Sequence, residues 1–126
     1  MKNITLNKLI IHTQNHVRFV NQHDIIYCKS DNCYSNIYLG DEDHLIICVP
    51  LTKFARRLDN RIFLRVSQSY IVNTNYIKSI DKKRKIILMM NKSQVPFTIR
   101  IKELLELISR DVLNHTTFLT EEGINL

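Results

Sequence analysis

Tryptophan is absent, glycine is confined to Gly40 and Gly123, proline to Pro50 and Pro96, and cysteine to Cys28, Cys33 and Cys48. So little glycine leaves no phosphate-cradling loop of the kind nucleotide-binding enzymes build, where backbone N–H groups must approach phosphates closely. With only four Pro and Gly residues and 24% charged residues, collagenous, low-complexity and wholly disordered classes drop out. An odd number of cysteines and no secretion signal argue against a disulfide framework, and free thiols are the default. The longest apolar runs, Leu45–Leu51 and Ile86–Met90, fall well short of the roughly 18 residues needed to span a bilayer. The first residues contain no apolar signal core and no small-residue cleavage site, so the expected location is the cytosol.

What remains is 126 residues with 44% hydrophobic content, enough for one domain with a real core. The formal charge is +6, unevenly spread: residues 1–51 sum to −1, residues 52–102 to +11 and residues 103–126 to −4. A basic centre between acidic ends is expected of a chain that lays one face along a polyanion.

Short segments rich in Ile, Val, Tyr and Phe recur every 8 to 12 residues between Asn, Asp, Gly or Lys clusters, which predicts a mainly β fold. Strands are expected near 5–12, 16–20, 24–29, 34–39, 44–49, 62–66, 76–80, 85–90 and 94–98. Gly40-Asp41-Glu42-Asp43 and Asn91-Lys92-Ser93 supply turn chemistry for two hairpins. Tyr70, Ile71 and Val72 read as core, and Asn73, ending the same strand, as a turn former. Leu51, Phe54, Ala55 and Leu58 fall at helical spacing and predict a short amphipathic helix over 51–58. Ile101, Leu104, Leu105, Ile108, Val112 and Leu113 predict a C-terminal helix over about 100–113, with Thr98 as its N-cap. The domain is expected to span residues 5–113, followed by a tail over 114–126 that either frays or contacts a partner.

Catalytic and metal chemistry finds little support. His12 and His16 lie in strand and turn segments, where a spacing of four does not converge. Cys28 and Cys33 with His23 lack a second zinc half-site. Asp41, Glu42 and Asp43 lack the alternating ligands of a calcium loop. There is no Gly-x-Ser-x-Gly elbow and no cysteine in a nucleophile setting. Neither an enzyme nor a cofactor is expected.

The segment Phe63-Leu64-Arg65-Val66-Ser67-Gln68-Ser69-Tyr70-Ile71-Val72-Asn73 closely resembles the signature of the LytTR DNA-binding domain. The surrounding order matches too: Asp24-Ile25-Ile26-Tyr27-Cys28-Lys29, then Asn32-Cys33-Tyr34-Ser35, the helix at 51–58, Tyr76-Ile77-Lys78-Ser79-Ile80, and Val95-Pro96-Phe97-Thr98-Ile99-Arg100. The resemblance spans roughly residues 5–108. It implies antiparallel β-sheets whose loops, rather than a recognition helix, enter successive major grooves of double-stranded DNA and bend it. It also implies a bacterial transcriptional regulator of the response-regulator kind, acting as a pair of protomers, a homodimer on repeated sites.

By matching positions, the base-reading residues are Asn32, Gln68 and Arg100. Arg100 can present a bidentate fork to guanine, and Asn32 and Gln68 suit the adenine edge. Lys29, Arg65, Ser67, Lys78, Arg84, Lys85 and Thr98 are the phosphate-binding candidates. The family commonly has His-Arg where this chain has Ser67-Gln68, and Ser-Arg-Arg where it has Thr98-Ile99-Arg100, so an unusual operator is expected. Relatives commonly carry a phospho-receiver domain, which 126 residues cannot also hold. That leaves a natural single-domain regulator, favoured by Met1, or a piece of a longer protein. The competing classes are a single-stranded nucleic-acid module stacking bases on Tyr27, Tyr34 and Tyr38, a protein-interaction module using the basic face, and, last, a small enzyme.

Overall fold

The computed structural model describes residues 8–40, 42–110, 119–121 and 123–124. Its centre is a five-stranded antiparallel sheet, order β5-β4-β3-β7-β6, built from β3 (Ile25–Asp31), β4 (Tyr34–Leu39), β5 (His44–Ile47), β6 (Phe63–Arg65) and β7 (Tyr70–Asn73). A hairpin of β1 (Lys8–His12) and β2 (Val17–Asn21) precedes it. A three-stranded sheet of β8 (Ile77–Asp81), β9 (Ile86–Met89) and β10 (Gln94–Pro96) follows. The helices are α1 (Leu51–Ala55) and α2 (Ile101–Arg110), and a small hairpin of β11 (Leu119–Thr120) and β12 (Gly123–Ile124) lies within the expected tail.

Alternation along the central strands sends side chains to opposite faces, so the sheet carries a core on each side. On one face Ile25, Cys28, Ile37, Leu39 and Ile71 meet Leu51 and Phe54 of α1, with Ile11 and Val20 of the first hairpin. On the other Ile26, Val66 and Val72 meet Ile87, Met89, Val95, Phe97 and Leu104 of α2. A register shift between Ile25 and Tyr27 turns Ile26 and Tyr27 toward the same core, which strict alternation forbids. Among the described residues every buried side-chain nitrogen and oxygen has a hydrogen-bond partner. Asn73 donates Nδ2–H to the Ile25 carbonyl at 2.9 Å and accepts the Asn75 N–H, fixing the 3-10 turn Thr74–Tyr76 as its sequence position suggested. Gln22 bridges the Arg57 carbonyl and the Asp59 N–H.

The elements depart from expectation at their ends. α1 is regular only to Ala55, after which i→i+3 bonds carry the chain through Arg57 and Leu58. α2 begins at Ile101, and the Arg100 carbonyl accepts the first helical bond, from Leu104 at 2.9 Å. Arg100 therefore occupies the cap position, and Thr98 lies two residues outside. The Thr98 N–H goes instead to the Val66 carbonyl at 3.0 Å. Residues 5–7, Asp41 and 111–113, included in the expected elements, lie outside the described residues. No helix among the described residues is long and apolar enough to cross a membrane.

Candidate nucleic-acid interface

Three loops meet at one end of the sheets. The first is the β3–β4 turn, where Asp31 pairs with Tyr34 and leaves Asn32 and Cys33 at the tip. Asn32 has φ 56°, a conformation asparagine tolerates and tight hairpins need. The second is Ser67-Gln68-Ser69, joining β6 to β7. The Ser30 N–H donates to the Ser69 carbonyl at 2.8 Å, extending the β3–β7 ladder and setting the second loop beside the first. The third, Phe97 to Arg100, is held against the second by the Thr98–Val66 bond. A shallow cleft of about 470 Å³ lies between these two loops, lined by Ser67, Gln68, Ser69, Tyr70, Pro96 and Thr98. Ile99 and Arg65 line an adjoining one with Gln68.

Asn32, Gln68 and Arg100 are all exposed; the Ser30–Ser69 bond joins the loops of the first two, and Arg100 follows Thr98 of the third loop by two residues. Among the described residues the Arg100 side chain has neither an ion pair nor a hydrogen bond, so its fork is available.

Cations flank the loops. Lys29, opposite Tyr70, places Nζ 5.9 Å from that ring's centroid. In the β8–β9 turn Asp81 accepts the N–H groups of Lys83 and Arg84, leaving Lys82, Lys83 and Arg84 exposed. Arg84 also lies 3.9 Å from the Asp81 carboxylate. Lys85, with φ 57°, sets Nζ 5.1 Å from the Phe97 centroid and 3.5 Å from the Thr98 carbonyl, joining this basic turn to the third loop. Lys78 is exposed on β8, three residues before Asp81 and two after Tyr76, which lines a separate cleft with Arg18, Asp24 and Asp43.

Arg65 points into the second loop. Its Nε–H donates to the Ser67 carbonyl (2.9 Å), Nη2–H to the Gln68 carbonyl (2.5 Å) and Nη1–H to Thr52 Oγ1 (3.3 Å). The Ser67 hydroxyl oxygen accepts from the N–H groups of Ser69 and Tyr70, both at 3.1 Å. Thr52 and Ser69 did not stand out in the sequence. Paired serines about Gln68 are a turn signal, but nothing in the chain marks Thr52 as a partner of Arg65.

Cys28 is buried, and burial pushes its thiol up to about 12, which keeps it protonated and makes it a poor metal ligand. Burial also raises Tyr27 above the usual phenol range.

The LytTr DNA-binding domain family matches residues 7–109, an interval that contains all three loops. The chain belongs to the LytTr DNA-binding domain family. The solved LytTr DNA-binding domain of a protein described as a methyl-accepting/DNA response regulator from Bacillus cereus superposes with a TM-score of 0.66 over 81% of this chain and 95% of that one, at 21% identity, which supports the shared fold. The heme-containing CO-sensing transcriptional regulator RcoM 1 of Paraburkholderia xenovorans (strain LB400) is 30% identical over 111 residues, 82% of this chain. This LytTr chain spans only 41% of that relative's length.

Proposed function

We propose that this LytTr domain is the sequence-specific double-stranded DNA-binding module of a bacterial transcriptional regulator, reading base edges in successive major grooves with loops. The observation that supports the reading is that backbone bonds from Ser30 to Ser69 and from Thr98 to Val66 tie together three turns bearing the exposed residues Asn32, Gln68 and Arg100, with Lys29 beside the second and Lys85 beside the third. In this division of labour Lys29, Arg84 and Lys85 contribute most of the affinity through phosphates, joined by the hydroxyls of Ser67 and Thr98, while the three turn residues choose the sequence. Lys78, set back along β8, is assigned no contact. Two protomers on repeated sites is the arrangement the family implies, and sedimentation of the complex on one and two half-sites tests it.

Stacking of single-stranded bases is disfavoured by where the tyrosines sit. Tyr27 and Tyr38 stack on each other at 4.3 Å and Tyr38 stacks on His44 at 4.5 Å, so these ring faces are already occupied. Only Tyr34 of the three is an exposed residue. Duplexes selected from a random pool, titrated beside their separated strands at one salt concentration, decide the matter. The duplex should bind more tightly, with log K falling linearly in log salt. Equal or tighter binding of the single strands refutes the proposal, and binding of neither form points to a protein partner.

A further inference from the structure

We infer that Arg65 is a positioning residue for base selection, holding Gln68 in its reading pose, rather than one of the phosphate contacts its charge suggests. The inference rests on the assignment of Gln68 to a base edge. A loop without glycine must be restrained by its surroundings if its tip is to meet a base reproducibly, and here side chains supply the restraint. The planar guanidinium takes two successive carbonyls, those of Ser67 and Gln68, and so sets the peptide planes on both sides of the Gln68 Cα. From the other side the Ser67 hydroxyl holds the N–H groups of Ser69 and Tyr70. The Ser69 carbonyl is held by Ser30, and Val66 N–H donates to the Tyr70 carbonyl at 3.0 Å. The Gln68 side chain is left exposed, with no hydrogen bond among the described residues. The contact from Arg65 to Thr52 ties the brace to α1, which is anchored by buried Leu51 and Phe54. Three of the guanidinium's donors are thus engaged inside the protein, and α1 and the loop share one hydrogen-bonded support.

Lysine distinguishes the two roles. It keeps the charge, as a phosphate contact requires, but a single ammonium cannot reproduce the planar fork across two carbonyls. Discrimination is read as the ratio of affinities for the preferred duplex and for one altered at the base pair that Gln68→Ala identifies. Arg65→Lys should lower that ratio at least fivefold, nearly as far as Gln68→Ala, while leaving the slope of log K against log salt unchanged. The double variant should lose no more than Gln68→Ala alone, as expected for residues acting as a unit. Thr52→Val, which removes the anchor without changing charge, should lower the ratio two- to threefold. Wild-type discrimination in Arg65→Lys, together with a slope reduced by about one in Arg65→Ala, overturns the brace in favour of a phosphate contact. If Gln68→Ala itself leaves the ranking of sites unchanged, the assignment of Gln68 fails, and amide exchange then decides on Arg65. Faster exchange at Ser69 and Tyr70 in Arg65→Lys supports the brace, and unchanged exchange overturns it.

Discussion

Arg100→Ala separates binding from folding more cleanly than any other single change. The side chain is exposed and makes no hydrogen bond or ion pair among the described residues, so its loss removes no polar contact there. Its position at the start of α2 is one where the macrodipole disfavours a cation, by about 0.3–1 kcal/mol at most. Thermal stability should therefore stay the same or rise slightly. A bidentate arginine–guanine pair contributes about 1–3 kcal/mol of discrimination, which at 1.4 kcal/mol per decade is roughly 5- to 150-fold. The assay is fluorescence anisotropy on a selected duplex and on a panel in which each base pair is changed in turn. One guanine position should lose its preference while the others keep theirs, and overall affinity should fall. If Arg100→Ala binds every member of the panel more weakly by the same factor, leaving the ranking intact, Arg100 is a phosphate contact and its assignment as a base reader is wrong.

Lys85→Ala should weaken binding to all duplexes alike and reduce the magnitude of the salt slope by about 0.9, measured by anisotropy across a salt series. Asn73→Ala removes the buried hydrogen bond to the Ile25 carbonyl and the cap of the following 3-10 turn, so urea denaturation should show a loss of about 1–3 kcal/mol; no measurable loss would mean the site relaxes. A thiol reagent should modify exposed Cys33 and Cys48 in the native protein and reach Cys28 only on unfolding, read by mass spectrometry after quenching. Arg18 holds the Asp43 carboxyl below the usual carboxylate range, and Arg61 does the same for Asp59. The native state therefore keeps both ionised at acid pH values where the unfolded chain already binds protons. Their stabilisation is complete above the unfolded value near 3.9 and is lost as pH falls through the lowered native one. The pair of changes Asp43→Asn and Asp59→Asn should flatten the urea midpoint against pH in that window.

Much of the molecule was legible locally. Recurring segments rich in Ile, Val, Tyr and Phe between turn residues placed β1 to β6 and β8 to β10 but left β7, β11 and β12 outside the expected strand ranges, and the stripe Leu51, Phe54 and Leu58 marked α1, because those patterns depend on neighbours a few residues apart. Asn91-Lys92-Ser93 made the expected turn, with Lys92 at φ 75° and the Met89 N–H donating to the Ser93 carbonyl. Thr98 looked like a helix cap because a hydroxyl ahead of a helical stripe usually is one; it lies outside because the third loop first pairs with Val66. The tyrosines looked like open platforms because sequence does not reveal that Tyr27, Tyr38 and His44 fall side by side on three strands.

The amino-acid order by itself determined which segments are rich in strand-forming residues, where the two expected turns fall, that basic charge concentrates in the middle of the chain, and the family signature around Ser67-Gln68-Ser69. Only the tertiary structure decided that the loops carrying Asn32 and Gln68 are bonded side by side, that the loop leading to Arg100 is bonded to Val66, and that Arg65 turns inward onto its own loop. The physical reason is that these outcomes hang on bonds between residues far apart in the chain, Ser30 to Ser69 and Thr98 to Val66, which close only once β3 has paired with β7 and both cores have packed.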